Sequence, residues 1–302
     1  MDVAVLGECV ADAFATRLPG ELSMRVLPGG GPANTAVALS RLGTVTRFLG
    51  RLSTDVFGEL FREHLSASGV DLSGCVTAAE PSTLAVATVD RDGHASYSFH
   101  AEGAADWQWT AAELSGLAPM ACLHTGSMAL LRSAAVEELL ASVDATVSID
   151  PNVRPSFGTR EEYLERLPRW CALADVLKLS DDDLAYLLPG TSVEAACDGW
   201  HALGARLVVV TRGAGGALVS LDGRRAAVPA RSVAVVDTVG AGDSFTAGFL
   251  HWLDGHGHLG GRLDLDLDTA VEAAAFAVRV AAWTCSVAGA NPPWASELSV
   301  TP

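Results

Sequence analysis

Short apolar runs separated by amphipathic stretches recur along most of this chain, and that alternation constrains its fold more than any other feature. Val3–Leu6, Val45–Leu49, Cys122–Thr125, Val147–Asp150, Val176–Leu179 and Leu207–Thr211 read as short buried strands. Between them, Asn34–Leu42, Phe57–Ser68, Ala134–Val143 and Glu161–Ala174 carry a helical pattern. A strand covered on both faces has no polar side, so its residues form a continuous apolar run. The alternation predicts βαβ units: an α/β fold with a mainly parallel sheet covered on both faces, a three-layer α/β/α arrangement. At 302 residues the chain can bury one large core with a small appendage.

Two segments break the pattern. Thr16–Val26 contains Pro19-Gly20, and Leu84–Phe99 is divided by Asp90-Arg-Asp-Gly93. Each reads as a β-hairpin with a glycine-containing turn. The two would pair into a small separate sheet, the alternative being an edge extension of the main one. Gly255–Asp268, rich in Gly, His and Asp, reads as a solvated surface insertion.

Charge narrows the possible partners. A net charge of −16 argues against nucleic acid, which needs a basic face, and against an anionic membrane surface. The uncharged stretch Leu114–Leu131 is interrupted by Pro119, His124 and Gly126, which makes it a poor membrane span. Met1–Gly7 lacks a basic n-region and looks like a first buried strand, not a signal peptide. The six cysteines are scattered with no Cys-x-x-Cys, as expected of reduced core residues in a cytosolic protein. Lys178 is the only lysine, and no Gly-Lys-Ser/Thr string exists, so a Walker A loop is excluded. His-Arg-Asp and Asp-Phe-Gly are also absent.

The string Asp237-Thr-Val-Gly-Ala-Gly-Asp-Ser-Phe-Thr-Ala-Gly248 follows a β-like run, Val233–Val236, and leads into a helical pattern. A glycine turn at a helix start leaves backbone N–H groups pointing outward, where the helix dipole favours an anion. The amides of Gly240, Ala241, Gly242 and Asp243 are thus a candidate cradle for a transferring phosphoryl group. Asp243 beside them can accept a proton from an attacking hydroxyl, although Asp is also a common helix cap. Nearer the N-terminus, Gly29-Gly-Gly-Pro-Ala-Asn-Thr-Ala36 frees the backbone to approach a ligand. Asn34 there offers both a donor and an acceptor, which suits a sugar hydroxyl. Asp12, just after the first strand, can accept from two neighbouring hydroxyls.

Together these strings resemble the two signatures of the ribokinase/PfkB family of carbohydrate kinases, D-T-x-G-A-G-D-x-F and G-G-x-x-x-N-x-A, and the resemblance spans essentially the whole chain. It implies a ribokinase-like three-layer sandwich over residues 1–302, with β-lid strands inserted at about 13–28 and 82–101, and in several members lids pair into homodimers. It assigns Asp243 as catalytic base and Gly240, Ala241 and Gly242 as anion hole. Asp12, Gly29, Gly30, Asn34, Phe99 and Arg154 become sugar-side residues, Arg154 through Asp150-Pro-Asn-Val-Arg154. Lys178, Ser180, Thr211, Gly213, Gly216, Gly242 and Ala281 border ATP. Asp183 stands where the family has a Glu that holds the water shell of Mg²⁺. Asp237, Val239, Thr284, Val287 and Gly289 are the candidates for a K⁺ site. Arg51–Gly58 resembles a structural turn, G-x-D-x-F-G, with Ser53 in place of Gly.

Within the family, Asp150–Arg154, Ser180 and Ser98–Asp106 point to a fructokinase-like enzyme. Ala101 stands where ketodeoxygluconate kinases carry an Arg, which argues against an acidic sugar. Readings from other classes are a Rossmann dehydrogenase, which would need a glycine at Phe245, and a catalytically silent sugar sensor on the same fold. The expected co-substrate is ATP with Mg²⁺, the expected acceptor a primary hydroxyl of a small sugar, and the expected location the cytoplasm.

Overall fold

A computed structural model describes residues 1–89 and 95–298. Its strands are β1 (Val3–Leu6), β2 (Val10–Leu18), β3 (Glu21–Gly29), β4 (Thr46–Leu49), β5 (Arg51–Ser53), β6 (Val76–Ala78) and β7 (Thr83–Val89). They continue with β8 (Ala95–His100), β9 (Cys122–Gly126), β10 (Thr146–Asp150), β11 (Val176–Ser180), β12 (Leu207–Thr211), β13 (Ala217–Leu221) and β14 (Arg224–Val228). The main sheet runs β14-β13-β12-β11-β10-β9-β1-β4. Its six parallel strands are those expected from the apolar runs, each within a residue or two at its ends.

The side-chain alternation explains why these runs lack a polar face. Ala4 and Leu6 of β1 join one buried cluster with Leu123, Tyr163, Trp170 and Trp200. Val3 and Val5 join another, on the opposite side, with Val37, Leu39 and Leu250. Likewise Val208 and Val210 of β12 face the first cluster, while Leu207 and Val209 face a third with Phe245, Phe249 and Ala274. Helices Arg160–Leu173 and Val193–Ala202 cover one face; Gly31–Leu42, Ala241–Gly255 and Leu267–Cys285 cover the other. Trp170 and Trp200 are each 1% exposed, and truncating either to Ala is expected to cost ~3–5 kcal/mol. The three-layer α/β/α class expected from the sequence is the one observed.

The two irregular segments form a separate four-stranded sheet, β3-β2-β7-β8. Both are antiparallel hairpins, joined by parallel β2–β7 pairing. The first is longer than expected, because β2 starts at Val10 and its first four residues lean on the core. It turns at Pro19-Gly20, with Gly20 at φ 81°. The expected Asp90–Gly93 turn lies outside the described residues.

Three features differ from the sequence reading. The antiparallel hairpin β13–β14 extends the main sheet. Its signal was Asp222-Gly223, both at positive φ (48° and 82°), the requirement of a tight I′ turn. Val233–Val236 forms no strand. Val235 and Val236 stay exposed, and the segment is tied by the Val236 and Asp237 amides to the Cys285 carbonyl at the end of a helix. Gly255–Asp268 is not wholly solvated, since Leu263 and Leu265 anchor it in the third cluster. Asp55, in the Arg51–Gly58 turn, caps the Val56–Ala67 helix by accepting from the Phe57 and Gly58 amides.

Candidate active site

The parallel strands all end at one edge of the sheet, where the orphan ends of β1, β9, β10, β11 and β12 leave room for a ligand. A cleft of about 660 Å³ opens there beneath the small sheet. A second cavity of about 550 Å³ lies beside it, and the two share Thr211, Gly213, Thr238 and Gly242. The junction is the N-terminus of the Ala241–Gly255 helix.

Gly240 is the N-cap of that helix and adopts the left-handed region at φ 76°. A Cβ at this position would lie 2.7 Å from the Ala290 Cβ, so only glycine fits. No side chain caps the first turn, which leaves its amides to an outside acceptor. One of the four expected amides is already used: Ala241 N–H donates to the Thr238 carbonyl at 3.2 Å, because a tight turn precedes the helix. The candidate cradle is thereby reduced to the amides of Gly240, Gly242 and Asp243, while Ala241 lines the second cavity.

Lys178 places an ammonium beside the first turn of this helix. It is 6% exposed, and its Nζ donates to Asp150 Oδ2 at 2.7 Å. A Cβ on Gly242 would lie 3.1 Å from that Nζ, so the absence of a side chain there lets the ammonium meet the helix N-terminus. Burial works against its charge, but Asp150 first, then Asp183 and Asp243, hold its pKa above the ordinary lysine value. The ammonium therefore lies inside the cleft, not snorkelled out to solvent.

Asp243 Oδ2 accepts from Asn34 Nδ2 at 2.8 Å. Burial pushes its carboxyl up to about 6, opposed by the Asn34 hydrogen bond and the Lys178 charge. Near neutral pH it is thus ionised yet basic enough to take a proton. Gly31, whose Cβ would meet Asn152 Nδ2 at 2.6 Å, lets the Asn34 helix approach Asp243 and Asn152 this closely.

The residues expected on the sugar side lie on the small sheet, at its hinge and, for Arg154, in the segment after β10. Register places Asp12, Ala85 and Phe99 side by side across β2, β7 and β8, hence on one face, and both Asp12 and Phe99 line the cleft. Burial raises the Asp12 carboxyl to about 6. Gly29 does not line the cleft; a Cβ there would fall 2.1 Å from Asp12 Oδ2, so Gly29 makes space for that carboxylate. Gly30 lines the cleft at φ 104°. Phe99 packs edge-on against Phe157, with centroids 4.9 Å apart. Arg154 lies exposed at the rim and donates to the Val153 carbonyl at 3.0 Å. Buried Asp106 accepts from the Thr83 hydroxyl and the Cys9 amide, tying the small sheet to the turn after β1.

Ser180 and Asp183 cap each other's backbone at the Asp181–Leu187 helix, and Asp183 Oδ1 also accepts from the Val153 amide at 2.9 Å. Asp183 thus spends one lone pair of each oxygen on the fold, while exposed Asp181 and Asp182 line the cleft beside it. Thr211 and Gly213 line both cavities, and Gly216 and Ala281 the second. Asp237 Oδ2 accepts from the Gly289 amide at 2.9 Å, which brings the Asp237–Val239 and Thr284–Gly289 segments together. Glu8, Ser127 and Asn152 also line the cleft; Asn152 lies within the Asp150–Arg154 string but has no role assigned there, and no motif reading singles out Glu8 or Ser127. The only sequence signal of Glu8 and Ser127 is position, just after a buried strand.

Comparisons with known proteins give the family of the chain. The family model described as pfkB family carbohydrate kinase matches residues 1–297. A fructokinase of Rhizobium leguminosarum bv. trifolii is 38% identical over 254 residues, covering 80% of this chain and 78% of the relative. The crystal structure of a Xylella fastidiosa fructokinase with bound ATP superposes with a TM-score of 0.86 at 29% identity, covering 99% of this chain and 97% of that one. A Vibrio cholerae O395 fructokinase in its fructose, ADP and calcium ion bound form gives 0.81 at 29% identity, covering 96% and 94%. The chain belongs to the pfkB family of carbohydrate kinases, phosphotransferases that act on a sugar hydroxyl.

Proposed function

We propose that this protein transfers the γ-phosphoryl group of ATP to a primary hydroxyl of fructose or a closely related ketose. One observation carries the reading: Asp243, hydrogen-bonded to Asn34, lies at an uncapped helix N-terminus that also meets the Lys178 ammonium. That is a base, an anion cradle and a cation in one place. The fructokinase relatives supply the sugar.

Asp12, Gly30 and Asn34 hold the sugar beneath Phe99, and Asp243 takes the proton of the attacking hydroxyl. The Gly240, Gly242 and Asp243 amides, with Lys178, stabilise the charge that develops on the transferring group. A general base accounts for about 10²–10⁴-fold, so positioning and the cradle supply most of the acceleration. The carboxylates of Asp12 and Asp243 in one cleft disfavour a sugar acid such as ketodeoxygluconate.

The Thr211–Gly216 turn and Ala281 fit the nucleotide, since they line the cavity that joins the cleft at Gly242. Among the described residues no group of three His, Cys, Asp or Glu is placed to hold a metal ion directly, so a Mg²⁺ accompanying the nucleotide would be met through water by Asp183, with Asp181 or Asp182 beside it; the ion would neutralise phosphate charge. The joined Asp237–Val239 and Thr284–Gly289 segments fit K⁺, a cation suited to main-chain oxygens. Exposed Phe14, Leu18, Leu22 and Met24 on β2 and β3 support a homodimer through the lid. Among the described residues no helix is long and apolar enough to cross a membrane. The six unpaired cysteines suit a cytoplasmic location.

The test is ADP release measured across fructose, tagatose, ribose, ketodeoxygluconate and nucleosides. Fructose should give the highest kcat/KM. A higher value for a nucleoside or a sugar acid would overturn the assignment, and sugar binding without ADP release would make the protein a sensor.

A further inference from the structure

We propose that Glu8 is the floor of the sugar subsite, with its unpartnered Oε2 binding a hydroxyl of the acceptor. The inference rests on the sugar-kinase reading above. Glu8 follows β1 and is 1% exposed, and its Oε2 has no hydrogen-bond partner among the described residues. Yet Glu8 lines the cleft, together with Asp12, Asn34, Ser127 and Asp243. Buried polar atoms are nearly always paired, because leaving one unpaired forfeits its hydration. An unpaired carboxyl oxygen at a ligand cleft is therefore accounted for by a ligand that completes its bonding.

The backbone around Glu8 is built to hold it there. A Cβ on Gly30 would lie 2.6 Å from the Glu8 carbonyl oxygen, so the glycine hinge packs directly on this residue. On its other side Ser127 sits in the left-handed region at φ 54°, a strained conformation for a non-glycine residue. Ser127 lines the cleft together with Glu8.

The chemistry matches a neutral hydroxyl-bearing ligand. Burial foremost, then the charges of Asp106 and Asp243, push the Glu8 carboxyl up to about 8, against the pull of the Ser127 hydroxyl. At neutral pH Glu8 is therefore mostly protonated and offers one donor and one acceptor, as a sugar hydroxyl does. The reacting charge is left to Asp243.

The experiment compares Glu8→Leu, Glu8→Gln and Glu8→Asp by steady-state kinetics and by calorimetry of fructose binding. Glu8→Leu removes the hydrogen bond and should raise the fructose KM and Kd about tenfold, equivalent to ~1.4 kcal/mol, with the KM for ATP unchanged. Glu8→Gln keeps a donor and an acceptor and should stay within about threefold of wild type. Glu8→Asp keeps the acid but withdraws it by one methylene, and carries the test if Glu8→Leu fails to fold; its fructose KM should rise about fivefold. A wild-type fructose KM in Glu8→Leu or Glu8→Asp overturns the proposal, and so does a loss in Glu8→Gln as large as in Glu8→Leu. Fructose binding without ADP release by the wild type overturns the kinase reading alone, and Glu8 is then judged on Kd. No sugar binding by the wild type overturns both.

Discussion

Asn34 Nδ2 donates to Asp243 Oδ2 at 2.8 Å, joining two helix N-termini that are 209 residues apart in sequence. The bond orients the carboxylate and favours its charged form. Asp243→Ala should lower kcat by about 10²–10⁴-fold while the sugar KM changes little, because the proton acceptor is lost and the sugar contacts remain. Steady-state kinetics of ADP release with fructose check this. A mutant within about threefold of wild-type turnover would refute the role of Asp243 as base.

The same bond sets a pH signature. The Asp243 carboxyl titrates at about 6, and only its ionised form accepts the hydroxyl proton. The kcat/KM for sugar should therefore rise through that pH and level off above it. Asp12 also titrates at about 6, so the limb alone does not identify the group. Asn34→Ala does: removing a bond that stabilises the carboxylate moves the limb to higher pH. A limb unmoved in Asn34→Ala assigns it to another residue.

How much of this was legible beforehand depends on the physical signal. The parallel strands were readable because burial on both faces leaves no polar residue in Val3–Leu6 or in residues 207–210. The two glycine strings were readable because backbone close to a ligand excludes side chains, as at Gly30 and Gly240. Val233–Val236 misled, because β-branched composition does not supply an unpaired strand edge to join. Glu8 and Ser127 carry no local signature, since their environment is assembled from β1, β9 and the glycine hinge. The Lys178–Asp150 pairing was equally hidden, being a contact between neighbouring strands whose partners are 28 positions apart in sequence.

That pair gives a stability prediction. Lys178 and Asp150 are 6% and 5% exposed. Lys178→Met would leave Asp150 buried without its cation, expected to cost ~3–5 kcal/mol. Adding Asp150→Asn should recover part of that stability but not the turnover, because the ammonium also serves the cradle. Urea denaturation read beside activity checks both. Recovery of turnover in the double variant would remove Lys178 from the phosphoryl site.

Acid groups in the cleft link stability to pH. Glu8 titrates at about 8 and Asp106 at about 7 in the folded protein, against 4.5 and 3.8 for unperturbed groups. Lowering the pH from about 9 to about 7 protonates the native state while the unfolded chain stays ionised. Folding takes up protons in that window, so stability should rise as pH falls. The high net negative charge acts in the same direction, which makes Glu8→Gln the control. Thermal melts of the ligand-free protein should show a higher Tm near pH 7 than near pH 9, with a flatter dependence in Glu8→Gln. An identical slope in the variant would mean that Glu8 does not titrate there.

The lid makes a prediction about assembly. Phe14 and Leu18 lie on the face of β2 that carries Asp12, beyond the end of the cleft, and are 42% and 41% exposed. Leu22 and Met24 lie on the opposite face of β3 and are 51% and 46% exposed. Solvated apolar rows on both faces of a small sheet mark an association surface. Phe14→Asp with Met24→Asp should convert a homodimer to a monomer, read by light scattering coupled to size exclusion. The monomeric variant should also show a raised sugar KM, because the lid carries Asp12 and Phe99 and loses support. The ATP contacts lie on the main sheet, so the KM for ATP should hold. A wild-type protein that is monomeric at micromolar concentration would refute the dimer and leave the cleft chemistry untouched.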